Sequence, residues 1–73
     1  MFEENIQLED LFLRAETSKA YFVENLDGVE AWIPKSLVSR IEFGESYKEF
    51  NGNKRMEIVV LEIPEWLVQK KNL

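Results

Sequence analysis

Lys19-Ala20-Tyr21-Phe22-Val23-Glu24, Asn25-Leu26-Asp27-Gly28, Val29-Glu30-Ala31-Trp32-Ile33: two β-type runs on either side of a glycine-bearing turn decide how this chain folds. Branched and aromatic residues suit a pleated, half-buried strand, and Asp27-Gly28 supplies the positive φ that a tight type I′ hairpin turn requires. Period-two alternation puts Val29, Ala31 and Ile33 on one face of the outgoing strand and Trp32 on the other. Asn51-Gly52 repeats the signal further along the chain. It predicts a second hairpin, between a strand from Ile41-Glu42-Phe43 to Phe50 and a strand from Lys54 to Ile63. The outgoing strand carries Met56, Ile58 and Val60 on one face and Val59, Leu61 and Ile63 on the other. Apolar on both sides, it reads as a central or covered strand.

Outward from these hairpins, Leu11-Phe12-Leu13-Arg14-Ala15 reads as a further strand, joined to the next through the turn-forming Glu16-Thr17-Ser18. At the other end, Pro64-Glu65-Trp66-Leu67-Val68-Gln69-Lys70-Lys71 reads as a short helix. Proline fits a first helical turn, Glu65 complements the positive helix start, and Lys70 and Lys71 complement the negative end. In Met1 to Asp10, Ile6 and Leu8 alternate with polar residues among Glu3, Glu4, Glu9 and Asp10, which gives an acidic, partly ordered arm. The expectation is one mainly β domain over residues 11–73, a small antiparallel five-stranded barrel or strongly bent sheet with a C-terminal helix at about 64–71. An α+β sandwich is the alternative.

Two resemblances bear on this expectation. Trp32-Ile33-Pro34-Lys35-Ser36-Leu37-Val38 is a strand that meets a proline, makes one tight turn and resumes. It resembles the end of a Src-homology-3-like barrel over about ten residues, which implies barrel geometry; the acidic-aromatic loop of a polyproline reader is missing. Lys19-Ala20-x-x-Val23, Asp27-Gly28, Trp32-Ile33-Pro34-Lys35-Ser36, Ile63-Pro64-x-Trp66-Leu67 and Lys71-Asn72-Leu73 together resemble small proteins of bacteriophages and integrated mobile elements. That resemblance runs over residues 19–73. It implies a bacterial host cytoplasm, a setting in which small acidic proteins often inhibit host enzymes or host defence.

Composition narrows the chemistry. The chain has 73 residues, no cysteine and no histidine, nine aromatic residues and a net charge of −5. Disulfides, thiolate nucleophiles and zinc–thiolate sites are excluded, as are the usual general base and the commonest metal ligand. Ser18, Ser36, Ser39 and Ser46 have no histidine to activate them. Lys35-Ser36 lacks the glycines of a phosphate-binding loop. The adjacent acids Glu3/Glu4 and Glu9/Asp10 point to opposite faces of any strand they occupy, a poor arrangement for a divalent cation. The expectation is a protein that is not an enzyme and holds no cofactor or metal. An acidic start and the absence of an apolar run of about 20 residues argue for the cytoplasm over a secretory or membrane destination.

Charge is uneven. Residues 1–30 hold 8 acids and 2 bases, net −6, and residues 31–73 hold 6 acids and 7 bases, net +1. An acidic half steers association with a basic surface, and tyrosine and tryptophan are favoured interface anchors. The expectation is a protein-interaction module that binds and inhibits or modifies a bacterial protein, one that itself handles nucleic acid. Its contact residues are Glu3, Glu4, Glu9, Asp10, Tyr21, Trp32 and Lys35. The alternative is a barrel whose mouth, near Trp32, Lys35 and Arg40, takes a small ligand, nucleotide or single strand; the charge balance disfavours direct nucleic-acid binding. Self-association through exposed strand edges is a third reading.

Overall fold

The computed structural model describes residues 4–50 and 52–73, and at Ser46, Asn53 and positions 48–50 the backbone alone. Six strands and a helix follow in order: β1 (Asn5–Leu8), β2 (Leu11–Glu16), β3 (Ala20–Asn25), β4 (Glu30–Pro34), β5 (Arg40–Phe50), β6 (Asn53–Pro64) and α1 (Glu65–Lys71). A single 3-10 turn, Lys35–Leu37, links β4 to β5. All pairings are antiparallel, with β2, β3 and β4 as a meander and β6 as the hub. No ladder joins β4 to β5 among the described residues. The molecule is a half-barrel, an open and strongly bent sheet with the predicted C-terminal helix.

The sixth strand is the main addition. Asn5–Leu8, expected within a partly ordered arm, pairs with β6 from Asn5↔Pro64 to Leu8↔Leu61. β2 then continues along the same edge from Leu11↔Ile58 to Leu13↔Met56. Residues 5–13 are thus one strand broken at Glu9-Asp10, where Asp10 adopts φ 59°. Aspartate is among the few side chains that tolerate this left-handed conformation. Opposite the break β6 carries a bulge, because β5 pairs Glu42↔Val60 and then Phe43↔Ile58, leaving Val59 as the extra residue.

The paired irregularities switch faces in both strands at once. Ile6, Leu8 and Leu11 face inward although Leu8 and Leu11 are three apart, and so do Ile58, Leu61 and Ile63. The strict alternation expected for β6 therefore fails at Val59, which is exposed, whereas Ile58, Leu61 and Ile63 are fully buried. With Leu11, Val23, Ala31, Ile33 and Leu67 they form the core. Leu67 is the buried residue of α1, so the apolar hub strand is covered as expected.

The turns set the registers. The first hairpin departs from the type I′ expectation: β3 and β4 pair up to Glu24↔Glu30, and Gly28 N–H donates to the Asn25 carbonyl. Leu26-Asp27-Gly28 is then a three-residue loop in which Gly28 takes φ 83°, the glycine-bulge geometry of longer hairpins. Asn25 explains the difference. Its Oδ1 accepts from the backbone N–H groups of Asp27 and Val29 at 2.9 Å each, which holds the loop one residue wider. In α1 the Glu65 N–H donates to the Glu4 carbonyl at 2.8 Å, tying the helix to the start of β1. Asn72 in the left-handed region and the Leu73 N–H on the Val68 carbonyl end the helix in a Schellman motif.

Candidate interaction surface

The candidate side chains fall on two faces of the sheet. On the outer face, register puts Phe22 of β3 directly opposite Trp32 of β4. Their rings stack with centroids 4.7 Å apart and planes inclined by 27°. Trp32 is nonetheless 44% exposed. Arg14 lies at the bulge of β2, where pairing moves from Leu13↔Val23 to Ala15↔Phe22. Its guanidinium sits 5.8 Å from the Phe22 ring centre and contacts Glu30 at 2.7 Å and Glu24 at 3.8 Å. The result is a stacked aromatic pair bordered by ion-paired polar side chains.

On the inner face, Tyr21 is half-buried and meets Phe43 edge-on at 6.1 Å. The Lys35 ammonium caps Tyr21 at 4.8 Å and bonds Glu16 at 2.5 Å. Further along the same face Tyr47 projects from β5, 64% exposed. Between β2 and β6 an open groove of about 230 Å³ is lined by Leu13, Ala15, Tyr47, Lys54, Arg55 and Met56, with Arg14 and Glu16 at its side.

The contact residues expected from sequence are therefore split. Trp32 faces outward as alternation requires, while Tyr21 and Lys35 lie on the opposite face. Glu4, Glu9 and Asp10 are exposed, but Glu9 and Asp10 are in line with β2, so β3 stands between them and Trp32. Glu3 lies outside the described residues. Of the expected barrel mouth of Trp32, Lys35 and Arg40, the first two lie on opposite faces of the sheet, and Arg40, on β5, pairs with Glu42. Sequence reasoning missed Phe22, Arg14, Glu24 and Glu30 as Trp32's neighbours. The signal for Phe22 and Glu30 was the hairpin register, available only once the loop length is known.

Among the described residues no three carboxylates converge to hold a metal ion, and no helix there is long and apolar enough to cross a membrane. Comparisons of the chain with protein-family models, with curated proteins and with solved structures find no match.

Proposed function

We propose that this protein is a non-enzymatic interaction module that docks on another protein through the outer face of β2–β4, with Trp32 as its anchor. One observation carries the reading: Trp32 keeps 44% of its surface exposed while its ring is already held against Phe22. A ring fixed before binding loses little side-chain entropy on binding, and tryptophan leads the residues that dominate interface energies. Arg14, Glu24 and Glu30 supply a polar rim whose geometry is set by their own ion pairs. The exposed carboxylates Glu4, Glu9 and Asp10 contribute a negative potential that favours a basic partner and speeds encounter. The resemblance to phage and mobile-element proteins makes a bacterial host protein the partner to seek, blocked or modified by the module.

The test is affinity capture from bacterial lysate, with nuclease present, using wild-type and Trp32→Ala baits side by side. The expected result is one protein recovered in near-stoichiometric amount by the wild type. Truncating a hot-spot tryptophan costs about 2 kcal/mol or more, close to a 30-fold loss of affinity, so Trp32→Ala recovers little of it while keeping its circular dichroism spectrum. Equal capture by both baits removes the proposed surface.

A further inference from the structure

The groove between β2 and β6 meets the Trp32 face only at Arg14 and has its own origin. β2 and β6 pair as far as Leu13↔Met56 and then separate. If the register continued, Ala15 would stand opposite Lys54, but the bulge at Arg14 turns β2 toward β3 and no ladder joins Arg14–Glu16 to Asn53–Arg55. Two strand edges thus face one another across a wedge. Each presents backbone N–H and C=O groups, the pattern that accepts an added extended chain.

The side chains specify what kind of chain. Leu13, Ala15 and Met56 give the groove an apolar lining, and Tyr47 offers an exposed ring at its edge. Of the charged residues there, Arg14 is engaged by Glu24 and Glu30, and Glu16 by Lys35. Lys54, which the register sets opposite Glu49, and Arg55 form no ion pair with a described residue, and the Arg55 Nε is buried without a hydrogen-bond partner among the described residues. A buried donor on a cation is satisfied best by a carboxylate, through a short charge-assisted hydrogen bond. In a molecule of net charge −5, the groove's lining carries the cations Arg14, Lys54 and Arg55 against the carboxylate of Glu16, beside open backbone edges.

We propose that the groove binds an extended, acidic peptide segment of a partner protein, laid along the open edges of β2 and β6 with carboxylates on Lys54 and Arg55 and apolar side chains on Leu13 and Met56. The open edges favour a polypeptide over a nucleotide, because a strand edge pairs with another backbone and has no equivalent use for a base.

The test is selection of a displayed library of random 12-residue peptides on the intact protein, followed by fluorescence anisotropy on the enriched peptides. The expected peptides carry acidic residues at neighbouring positions, which reach Lys54 on one face of β6 and Arg55 on the other, together with apolar residues for Leu13 and Met56. Losing one charge-assisted contact weakens binding about tenfold, so Arg55→Gln and Lys54→Glu each lower affinity by at least that factor. Lys54 is exposed, which makes its variant the control should Arg55→Gln perturb folding. Trp32→Ala leaves this affinity unchanged, separating the groove from the outer face. In NMR spectra the amides of Ala15 and Lys54 to Met56 shift and gain protection from exchange. Enrichment without acidic residues, affinity indifferent to Lys54→Glu, or a (dT)12 oligonucleotide that binds the groove more tightly than any selected peptide each overturns the proposal.

Discussion

Replacing Val59 by threonine and Leu61 by alanine, separately, tests whether β6 switches faces at its bulge. Leu61 is fully buried in the core and Val59 is 43% exposed, although strict alternation assigns both to the same face. Removing a buried leucine side chain costs about 2–5 kcal/mol from lost transfer energy and the residual cavity. A 73-residue domain at the usual per-residue stability holds roughly 4–11 kcal/mol in total, so Leu61→Ala removes a large share. At about 4–8 °C per kcal/mol for a domain of this size, a 3 kcal/mol loss lowers Tm by about 12–24 °C. Val59→Thr keeps the β-branched shape and adds a hydroxyl that remains hydrated, so its effect stays within about 0.5 kcal/mol. Were Val59 inside, burying the hydroxyl would cost about 1–3 kcal/mol. Urea unfolding with a shared m-value measures both. A Val59→Thr loss above about 1.5 kcal/mol refutes the bulge and the face switch together.

Asn25→Ala removes the acceptor of two backbone hydrogen bonds in the first hairpin and destabilises the domain by about 1–2 kcal/mol in the same urea assay. Asp10 holds a left-handed conformation at an exposed break between strands, so Asp10→Gly is neutral or stabilising by up to about 1 kcal/mol, whereas Asp10→Val destabilises by about 1–2 kcal/mol; thermal melting separates the two. Trp32→Ala forfeits its stack on Phe22, worth about 0.5–1.5 kcal/mol beyond the area the ring buries, and leaves a cooperative melt with its midpoint above the capture temperature, so lost capture is not lost folding.

The sequence made the strands visible where chemistry is local. Asp27-Gly28 and Asn51-Gly52 placed both hairpins, and alternation in Ala31-Trp32-Ile33 put the tryptophan outside. The loop length was not visible from the dipeptide, because the Asn25 side chain chooses between a two-residue and a three-residue loop. Nor was the face switch read, although Leu8-x-x-Leu11 and Ile58-x-x-Leu61 both break period two. These spacings become informative only when the two stretches are known to lie opposite one another. β1 was hidden for the same reason: Ile6 and Leu8 make a weak strand alone and a good one beside Ile63 and Leu61. The groove depends on where β2 leaves β6, a property of the Arg14 bulge that no single stretch encodes, so Lys54 and Arg55 read as ordinary surface charges.

The position of β6 in the chain governs when this protein can fold during its synthesis. β1 leaves the ribosome long before its partner, residues 61–64, has been made. Until then the nascent chain has the β2–β4 meander alone, with Leu11, Val23, Ala31 and Ile33 uncovered on one side. Every strand that β6 joins waits for it, and closing such distant pairs is slow compared with forming a local hairpin. This sheet is therefore completed only after residues 53–64 have left the ribosome, and a transcript interrupted before codon 53 yields no strand to hold β1 and no closed core.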